Sequence, residues 1–358
     1  MKRVQIHGPG DLRIDDVPEP HIGPNDVLLE VGACGICGTD VGYARVGGVT
    51  APVSEPMPLG HELAGTVVEV GDEVGNKVGN KVGDKAGNKA GDEVGDQVEA
   101  LMPGMRVAVN PTIAGFAIGN GGPEGAFCNR LLVRDAGLGR NLFPIPDEMP
   151  FELGALAEPL GVGMNAVNQV QVKPGDKVAV MGAGPIGLAA VATLLDRGIE
   201  DIVSIDLSQT RLEVAQKLGV PETLNPSHED IWEELGRLHG RTPHYGEQLP
   251  QTDVFIEASG AASVLSQIIE RAGPRTRVSV VALHRQAIEV NFMTVMMKQM
   301  TLQGAMEYPD RFEDMIELLG RRDLRPMITH RFRLEEFHEA FAIAQSPDRG
   351  AKVMIEIA

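Results

Sequence analysis

The chain has 358 residues, of which 43% are hydrophobic and 23% charged, and this length is enough for two domains with separate cores. Its formal net charge of −18 at pH 7 argues against general nucleic-acid binding, which needs Lys and Arg to neutralise phosphates. The opening MKRVQIHGPG lacks the apolar core of a signal peptide, and no apolar run approaches the roughly 20 residues of a membrane helix. We therefore expect a cytoplasmic protein with no membrane partner.

Three cysteines are present, at Cys34, Cys37 and Cys128. A small, odd number of cysteines without a secretion signal does not indicate a disulfide framework. Any cysteine with a functional role is therefore expected to act as a metal ligand or as a free thiol.

The first part of the chain, to about Glu158, has the pattern of a β-rich domain. Short alternating stretches, such as Asp26–Val31 and Thr66–Val70, are bounded by Gly and Pro clusters. These stretches predict strands.

A repeat of four residues, (Val/Ala)-Gly-(Asn/Asp)-(Lys/Glu/Gln), runs from Val74 to Val98. Glycine in every unit opposes a helix, and a period of four gives no strand alternation. We interpret the repeat as a solvated loop inserted between two strands. An ordered ladder of turns that packs on a neighbouring subunit is the alternative.

From Asp176 onward, strand patterns alternate with helical ones. KVAVMG leads into a glycine-rich turn and the helical LAAVATLLDRG, and the strand DIVSID and the helix RLEVAQKLG follow. Further strands are predicted at Thr252–Ala258 and Arg277–Ala282. This alternation indicates βαβ units and a parallel, doubly wound sheet. Past about Met300 we expect the chain to return to the first domain and to close with the strand AKVMIEIA.

GAGPIG, at Gly182–Gly187, matches the dinucleotide-binding pattern G-x-G-x-x-G, with Pro185 and Ile186 opening the following helix. Gly182 permits a tight turn, Gly184 lets the backbone approach a pyrophosphate, and Gly187 lets the helix pack on the sheet. The helix N-terminus attracts the phosphates. A purely structural glycine turn is the alternative.

Asp206 ends the next strand, about 20 residues after the turn, where a carboxylate binds both adenosine ribose hydroxyls and repels a 2′-phosphate. The sequence therefore favours NAD over NADP. Ser208, rather than Asp206, is placed to cap the following helix. Arg211 is the nearest basic residue in that helix and completes the predicted cofactor set, although we expect its side chain to face outward.

Three separate motifs supply zinc-ligand residue types: CGICGTD at Cys34–Asp40, GHE at Gly60–Glu62 and EPLGVG at Glu158–Gly163. Thiolate, imidazole and carboxylate are the groups that bind zinc, and a catalytic site keeps one position open. Each motif alone is ambiguous. The C-x-x-C pair would also suit a redox disulfide or half of a structural zinc site.

Together these motifs resemble the medium-chain dehydrogenase/reductase superfamily, in its zinc-containing polyol, butanediol and threonine dehydrogenase branch. The resemblance covers nearly the whole chain, including HGPGDLRIDDVPEP, GHELAGTVVEVG and AEPLGVG. It implies a Rossmann fold with a doubly wound parallel sheet, joined to a β-rich GroES-like catalytic domain. The catalytic domain would span residues 1–160 and 305–358, with the repeat at 74–98 inserted, and the Rossmann NAD-binding domain residues 161–304.

The resemblance also implies roles for individual residues. Cys37 and His61 correspond to zinc ligands, and Glu158 to a carboxylate that faces the metal directly or through water. Glu62 corresponds to an acid beside the metal that approaches it in some relatives. Thr39 corresponds to the hydroxyl that binds the substrate oxygen, and Asp40 to an acid that orients a ligand.

The chain departs from this pattern in two places. Where many relatives have four cysteines that bind a structural zinc, this chain has Cys128 alone, so we expect one catalytic zinc and no structural zinc. Cys34 and Cys128 are then core residues. Gly42 stands where relatives often have a proton-relay histidine, and Asn165 where another histidine is common. Proton exit must use another route.

The resemblance places four further residues in the substrate pocket: Tyr43, Asn110, Phe116 and Asn165. They imply a mixed polar and apolar pocket. The identity of the alcohol does not follow from the sequence.

The function expected from these features is reversible hydride transfer from a secondary alcohol or polyol to NAD, in a zinc-dependent alcohol dehydrogenase. Its partners are a small alcohol or carbonyl substrate and further copies of the chain, as a homodimer or homotetramer. Two alternatives remain. A zinc-free enone or quinone reductase of the same superfamily would lack the Cys37, His61 and Glu158 set, and a non-catalytic NAD-binding protein would not need it.

Overall fold

The computed structural model describes residues 1–74, 100–112, 117–346 and 348–357. Phe116 and all of the repeat after Val74 lie outside the described residues, so neither prediction about them is tested by the structure. Within the described ranges, no helix is both long and apolar enough to cross a membrane.

The N-terminal part of the chain consists mainly of strands. Its elements are β1 (Lys2–Gly8), β2 (Asp11–Asp16), β3 (Val27–Ile36), α1 (Gly38–Val46), β4 (Met57–Pro58), β5 (Glu62–Val70), β6 (Arg106–Val109), β7 (Arg130–Val133), β8 (Leu142–Pro144), α2 (Phe151–Gly154) and α3 (Ala157–Gln169). The β-rich character predicted for this part is confirmed.

Strands and helices alternate in the next part. The elements are β9 (Val178–Met181), α4 (Pro185–Asp196), β10 (Ile202–Ile205), α5 (Gln209–Leu218), β11 (Glu222–Leu224), α6 (Ile231–His239), β12 (Arg241–His244), β13 (Glu247–Pro250), β14 (Val254–Glu257), α7 (Ala262–Arg271), β15 (Arg277–Val280), α8 (Phe292–Lys298) and β16 (Thr301–Gly304). Six of these strands form one parallel sheet in the order β11-β10-β9-β14-β15-β16. The predicted Rossmann sheet is confirmed.

The C-terminal part contains α9 (Glu313–Arg321), β17 (Ile328–Arg333), α10 (Phe337–Ala344) and β18 (Lys352–Glu356). β18 pairs antiparallel with β3, so the closing strand returns to the first domain as predicted. The larger sheet of that domain has the order β17-β18-β3-β5-β6-β8, with β7 also pairing with β3, and β2-β1-β4 form a separate sheet.

β3 extends five residues beyond the stretch that the alternation predicted. Its second half, VGACGI, is small and apolar, and all six of these residues are buried. The backbone is paired on both edges there, with β5 on one side of β3 and β18 on the other, and the ring of Phe151 in α2 packs against Gly32. This longer strand carries the chain to Cys37, so it positions the first residue of the candidate site.

Candidate metal and cofactor site

Cys37 lies between the end of β3 and the start of α1, where it is the N-cap residue. Its backbone N–H donates to Oδ2 of Asp40 at 2.8 Å, which closes the first turn of the helix. The thiol thus lies at the positive end of the helix dipole, a position that favours a negatively charged group.

His61 immediately precedes β5, and Glu62 is the first residue of that strand. β5 pairs with the end of β3, so that Glu62 lies opposite Gly35. A Cβ on residue 35 would lie 2.2 Å from Oε2 of Glu62, so the glycine makes room for this carboxylate. The candidate ligand atoms of Cys37, His61 and Glu62 all lie within 4.8 Å of one another. The two paired strands therefore form the cluster.

Asp40 faces the imidazole of His61. Its Oδ1 lies 3.6 Å from Nδ1 of His61, and both atoms are buried without a hydrogen-bond partner among the described residues. With Nδ1 turned toward this carboxylate, Nε2 is the ring nitrogen available to a metal, which is the usual relation between a carboxylate and a metal-binding histidine.

Glu62 pairs with a lysine from the closing strand β18. Nζ of Lys352 lies 2.7 Å from Oε1 and 2.5 Å from Oε2 of Glu62, and it also donates to the carbonyl of Ile36 at 3.2 Å. Burial opposes the charge on Lys352, but the carboxylate of Glu62 outweighs it and raises the lysine pKa. Lys352 thereby holds Glu62 beside the end of β3.

Glu158 lies in the first turn of α3 and is buried. The hydroxyl of Tyr308 donates to its Oε1 at 2.6 Å. Burial raises the pKa of Glu158 to about 7. This carboxylate is therefore held in a fixed orientation near the cluster, although it is not one of the three groups within 4.8 Å of one another.

The residues of the cluster fit a zinc ion. Cys37, Asp40, Glu62 and Glu158 can all carry negative charge, and Lys352 is the cation paired with one of them. Burial lowers the pKa of His61, yet the charges of Asp40 and Cys37 raise it well above its ordinary value. Such a site favours a cation, and a thiolate, an imidazole and a carboxylate are zinc donors.

The remaining predicted residues of the catalytic domain have different surroundings. Thr39 is half-buried in α1, two residues after Cys37, and the hydroxyl of Tyr43 lies 3.4 Å from Oδ1 of Asn120. Oδ1 of Asn110 accepts from Thr112, at 3.2 Å from N and 3.1 Å from Oγ1. Their roles toward a substrate stay predictions.

Asn165 makes hydrogen bonds within the protein. Its side-chain amide donates to the carbonyl of Met306 at 2.8 Å, and its Oδ1 accepts from Gln169 at 3.1 Å. The side chain thus fixes the segment that leads to Tyr308. A role in the substrate pocket also stays a prediction.

Cys34 and Cys128 are buried, as expected for core residues, and neither forms a disulfide. Burial raises the pKa of both thiols, that of Cys128 to about 12. Both are therefore neutral core groups at physiological pH.

Sequence reasoning missed Lys352 and Tyr308. Each contacts its partner across a long stretch of chain, so no local spacing connects them. One signal was present for Lys352, which is a charged residue in the otherwise apolar start of the closing strand, AKVMI. A lysine in a buried strand requires a carboxylate partner.

The glycine-rich turn between β9 and α4 has the geometry that its sequence predicted. Gly182 has a φ of +102°, and a Cβ on Gly187 would lie 1.8 Å from the carbonyl oxygen of Gly182. Gly184 is the N-cap of α4, and Pro185 and Ile186 are its first residues. The backbone is therefore open at the helix N-terminus, where a phosphate would bind.

Asp206 follows β10 and lies beside this turn. Its Oδ2 accepts the N–H of Ala183 at 2.6 Å, and its Oδ1 accepts the N–H of Ser208 at 2.7 Å. Ser208 caps α5 by accepting from the N–H of Arg211, which confirms the cap assignment.

The expectation that Arg211 faces outward is wrong. Its Nε donates to the carbonyl of Gly350 at 3.0 Å, and its Nη1 lies 3.6 Å from the position of a Cβ on Gly184. The loop before β18 packs against the cofactor domain and draws the guanidinium inward. Arg211 thus lies over the glycine-rich turn.

Comparisons with known proteins agree with this arrangement. Residues 185–321 match the family described as zinc-binding dehydrogenase, and residues 23–158 match the alcohol dehydrogenase GroES-like domain. The chain is 34% identical to sorbitol dehydrogenase of Rattus norvegicus over 98% of its length and 94% of the relative's. It is 32% identical to (R,R)-butanediol dehydrogenase of Neisseria gonorrhoeae, over 94% of this chain and 93% of that one.

A solved structure has the same fold over its whole length. It is the 2R,3R-butanediol dehydrogenase of Bacillus subtilis, with a TM-score of 0.81, 28% identity and coverage of 99% of each chain.

A parallel Rossmann sheet with an open glycine turn, joined to a GroES-like domain that holds a Cys/His/Glu cluster, defines a two-domain, metal-dependent dehydrogenase. The chain belongs to the zinc-binding alcohol dehydrogenase family.

Proposed function

We propose that this protein is a zinc-dependent alcohol dehydrogenase that transfers a hydride reversibly from a secondary alcohol or polyol to NAD. The observation that carries the proposal is the cluster of Cys37, His61 and Glu62, in which His61 and Glu62 are buried. Asp40 faces His61, and Lys352 pairs with Glu62. Similarity to sorbitol and butanediol dehydrogenases over nearly the whole chain supports the substrate class.

Cys37 and His61 would hold a single catalytic zinc, with Glu62 or Glu158 as the carboxylate. Glu62 belongs to the cluster, but its carboxylate is also paired with Lys352. Glu158 accepts a hydrogen bond from Tyr308 and would face the metal directly or through water. When bound, zinc lowers the pKa of a coordinated alcohol toward neutrality. We propose no structural zinc, because Cys128 stands alone.

Thr39 would accept a hydrogen bond from the substrate hydroxyl and pass its proton outward. NAD, when bound, takes up the hydride. The glycine-rich turn, Gly182–Gly187, would hold the pyrophosphate, and Asp206 the adenosine ribose. Arg211 lies beside Gly184, so its guanidinium would lie close to the same part of the dinucleotide.

The proposed domain limits follow the sheets. Residues 161–304 would form the NAD-binding domain, and residues 1–160 with 305–358 the catalytic domain. The six-stranded parallel sheet ends with β16 at Gly304, while β17 and β18 belong to the sheet of β3 and β5, which supports this division.

We further propose a homodimer or homotetramer in the cytoplasm. Exposed apolar side chains cluster on α8, which immediately precedes the edge strand β16. Phe292, Met293 and Met296 are 70%, 64% and 67% exposed. A contiguous exposed apolar surface is typical of an interface.

Zinc analysis combined with turnover of a panel of alcohols with NAD tests the proposed function. We expect one zinc per chain and activity on secondary alcohols, and Cys37→Ala or His61→Ala should abolish activity while NAD binding, measured by calorimetry, remains. A zinc-free protein that reduces enones or quinones, or a protein that binds NAD without turnover, would contradict the proposal.

Two further variants distinguish the possible carboxylate ligands. If Glu62 is the ligand, Glu62→Gln lowers the zinc content and Glu158→Gln retains it. The reverse result would assign Glu158 as the ligand.

A further inference from the structure

Arg285 lies in the loop after β15, at the carboxyl edge of the parallel sheet, where ligands of such sheets bind. Its side chain reaches α1 of the other domain. A Cβ on Gly42 would lie 2.1 Å from Nη2 and 3.1 Å from Cζ of Arg285. The guanidinium therefore occupies the space that a side chain at position 42 would fill.

Gly42 leaves that space open at a cost to the helix, because glycine in a helix interior is less stable than alanine. Its φ is not among the positive values, so the backbone itself does not require glycine. Thr39 precedes Gly42 by three residues, and Tyr43 follows Thr39 by four, so all three share one face of α1. Arg285 thus lies on the face that carries the proposed substrate-binding hydroxyl.

The loop that carries Arg285 is anchored at the preceding residue. Nε2 of His284 lies 2.8 Å from Oε2 of Glu257, which is fully buried at the end of β14. The other oxygen of Glu257 accepts from the hydroxyl and N–H of Ser259. This arrangement fixes the backbone from which Arg285 extends.

Among the described residues, no carboxylate pairs with Arg285. Glu62 pairs with Lys352, Glu158 accepts from Tyr308, and Asp40 faces His61. Burial raises the pKa of Tyr43, and the positive charge of Arg285 opposes that rise. Arg285 is solvent-exposed, so it presents an accessible positive charge that no carboxylate among the described residues pairs with, beside an otherwise acidic site.

We propose that Arg285 recognises an anionic group, a carboxylate or a phosphate, on the alcohol substrate at a distance from the reacting hydroxyl. The planar guanidinium donates two parallel hydrogen bonds to either group. The inference rests on the proposed function, since it names a substrate class for the same site. It makes Arg285 a specificity-determining residue.

The test compares three six-carbon compounds that share a polyol chain: D-sorbitol, D-sorbitol 6-phosphate and D-gluconate. The zinc-loaded enzyme is assayed with NAD, and binding is measured by calorimetry with NADH present so that turnover does not contribute. We expect kcat/KM to be higher for an anionic compound than for sorbitol. The preferred anion identifies phosphate or carboxylate as the recognised group.

In Arg285→Gln, the ratio of anionic to neutral kcat/KM should fall by about 10- to 100-fold, the factor of a charge-assisted hydrogen bond. The matched control is Arg275→Gln, which removes a likewise exposed arginine before β15, at the opposite end of the same strand from Arg285. The control should keep the wild-type ratio. Thermal unfolding of both variants checks that they are folded.

Two results would overturn the inference without affecting the proposed function. One is oxidation of sorbitol by the wild type with no preference for either anion. The other is an equal fall in kcat/KM for all three substrates in Arg285→Gln, together with a raised KM for NAD. That result would assign the guanidinium to dinucleotide binding. If the enzyme oxidises none of the alcohols with zinc and NAD bound, the proposed function is contradicted. Calorimetry would then still decide whether Arg285 binds the anions.

Discussion

Lys352 and Glu62 form an ion pair in which both side chains are only 1% exposed. The pair connects the closing strand β18 to the start of β5, and Nζ of Lys352 also contacts the carbonyl that precedes Cys37. Neither charge is solvated, so each depends on the other. Removing one member of such a pair costs much more than the net stability that the pair provides.

Lys352→Met should therefore lower the free energy of unfolding by about 3–5 kcal/mol. The measurement is urea unfolding in the presence of a chelator, so that a metal does not compensate the carboxylate. The double variant Lys352→Met/Glu62→Gln also removes the buried, unpaired carboxylate of Glu62. We therefore expect it to recover part of the lost free energy of unfolding. Equal stability of Lys352→Met and the wild type would show that the pair does not hold this part of the fold.

Asp206→Ala should weaken the binding of NAD and reduce the discrimination against NADP. The substitution removes the ribose hydrogen bonds and the charge that repels a 2′-phosphate, together worth about 2–4 kcal/mol on the scale of hydrogen bonds to charged groups. It also removes the acceptor for the N–H of Ala183. The measurement is kcat/KM for both cofactors.

Asp206→Asn separates the two effects, because it retains an acceptor for Ala183 and loses the charge. We expect it to gain NADP activity with a smaller loss of NAD activity than Asp206→Ala. A wild-type enzyme that preferred NADP would contradict the assignment of Asp206 as the residue that selects NAD. Arg211 would then be the residue to test.

Periodicity and turn chemistry predicted the parallel sheet and the glycine-rich turn, because both depend on residues that are close in sequence. Helix α1 was not predicted, since Gly38 and Gly42 weaken the helical pattern and the following Gly47 ends it. The partners of Glu62 and Glu158 are brought together only by the tertiary fold.

The inward orientation of Arg211 has a similar cause, since its acceptor is a carbonyl 139 residues away. The reason for a glycine at position 42 cannot be predicted from the sequence, because the space beside it is occupied by Arg285 of the other domain. Residue types at a site can thus be read from motifs, whereas the residues that orient them come from distant parts of the chain.

His239 should make stability depend on pH between about 4 and 6.5. Burial lowers its pKa to about 4, and its Nδ1 lies 2.8 Å from Oγ1 of Thr252. As the pH falls below the ordinary value of about 6.5, the unfolded chain takes up the proton before the folded protein does. The stability that the buried, neutral His239 contributes is therefore fully present above about pH 6.5 and is lost as the pH falls toward 4.

The measurement is urea unfolding of the wild type and of His239→Gln at several pH values from 4 to 7. The stability of the wild type should fall more steeply toward low pH than that of the variant, by roughly 3 kcal/mol over the range, at about 1.4 kcal/mol for each pKa unit. His228→Gln, which changes an exposed histidine, is the control and should keep the wild-type slope. Parallel curves for the wild type and His239→Gln would contradict the prediction.

The repeat between Val74 and Val98 is predicted to be dispensable for catalysis. The strands on either side of it pair directly, with Ala64 opposite Ala108 and Thr66 opposite Arg106. Two further backbone hydrogen bonds of 2.8 Å connect Val67 to Met105 and Gly104. The pairing of β5 and β6 is thus made by residues outside the repeat. Closing a longer loop costs only about 0.6 kcal/mol for each doubling of its length.

Replacing Gly75–Gly95 with a short Gly/Ser link should therefore leave zinc content and kcat nearly unchanged. A second variant, with a Gly/Ser link of the same length as the repeat, separates the effect of loop length from that of the repeated sequence. Sedimentation and thermal unfolding then show whether the repeat contributes to assembly, because its single Val and Ala residues bury too little surface to fold alone. A shortened variant that kept its fold and oligomeric state but lost zinc or NAD would instead place the repeat at the active site.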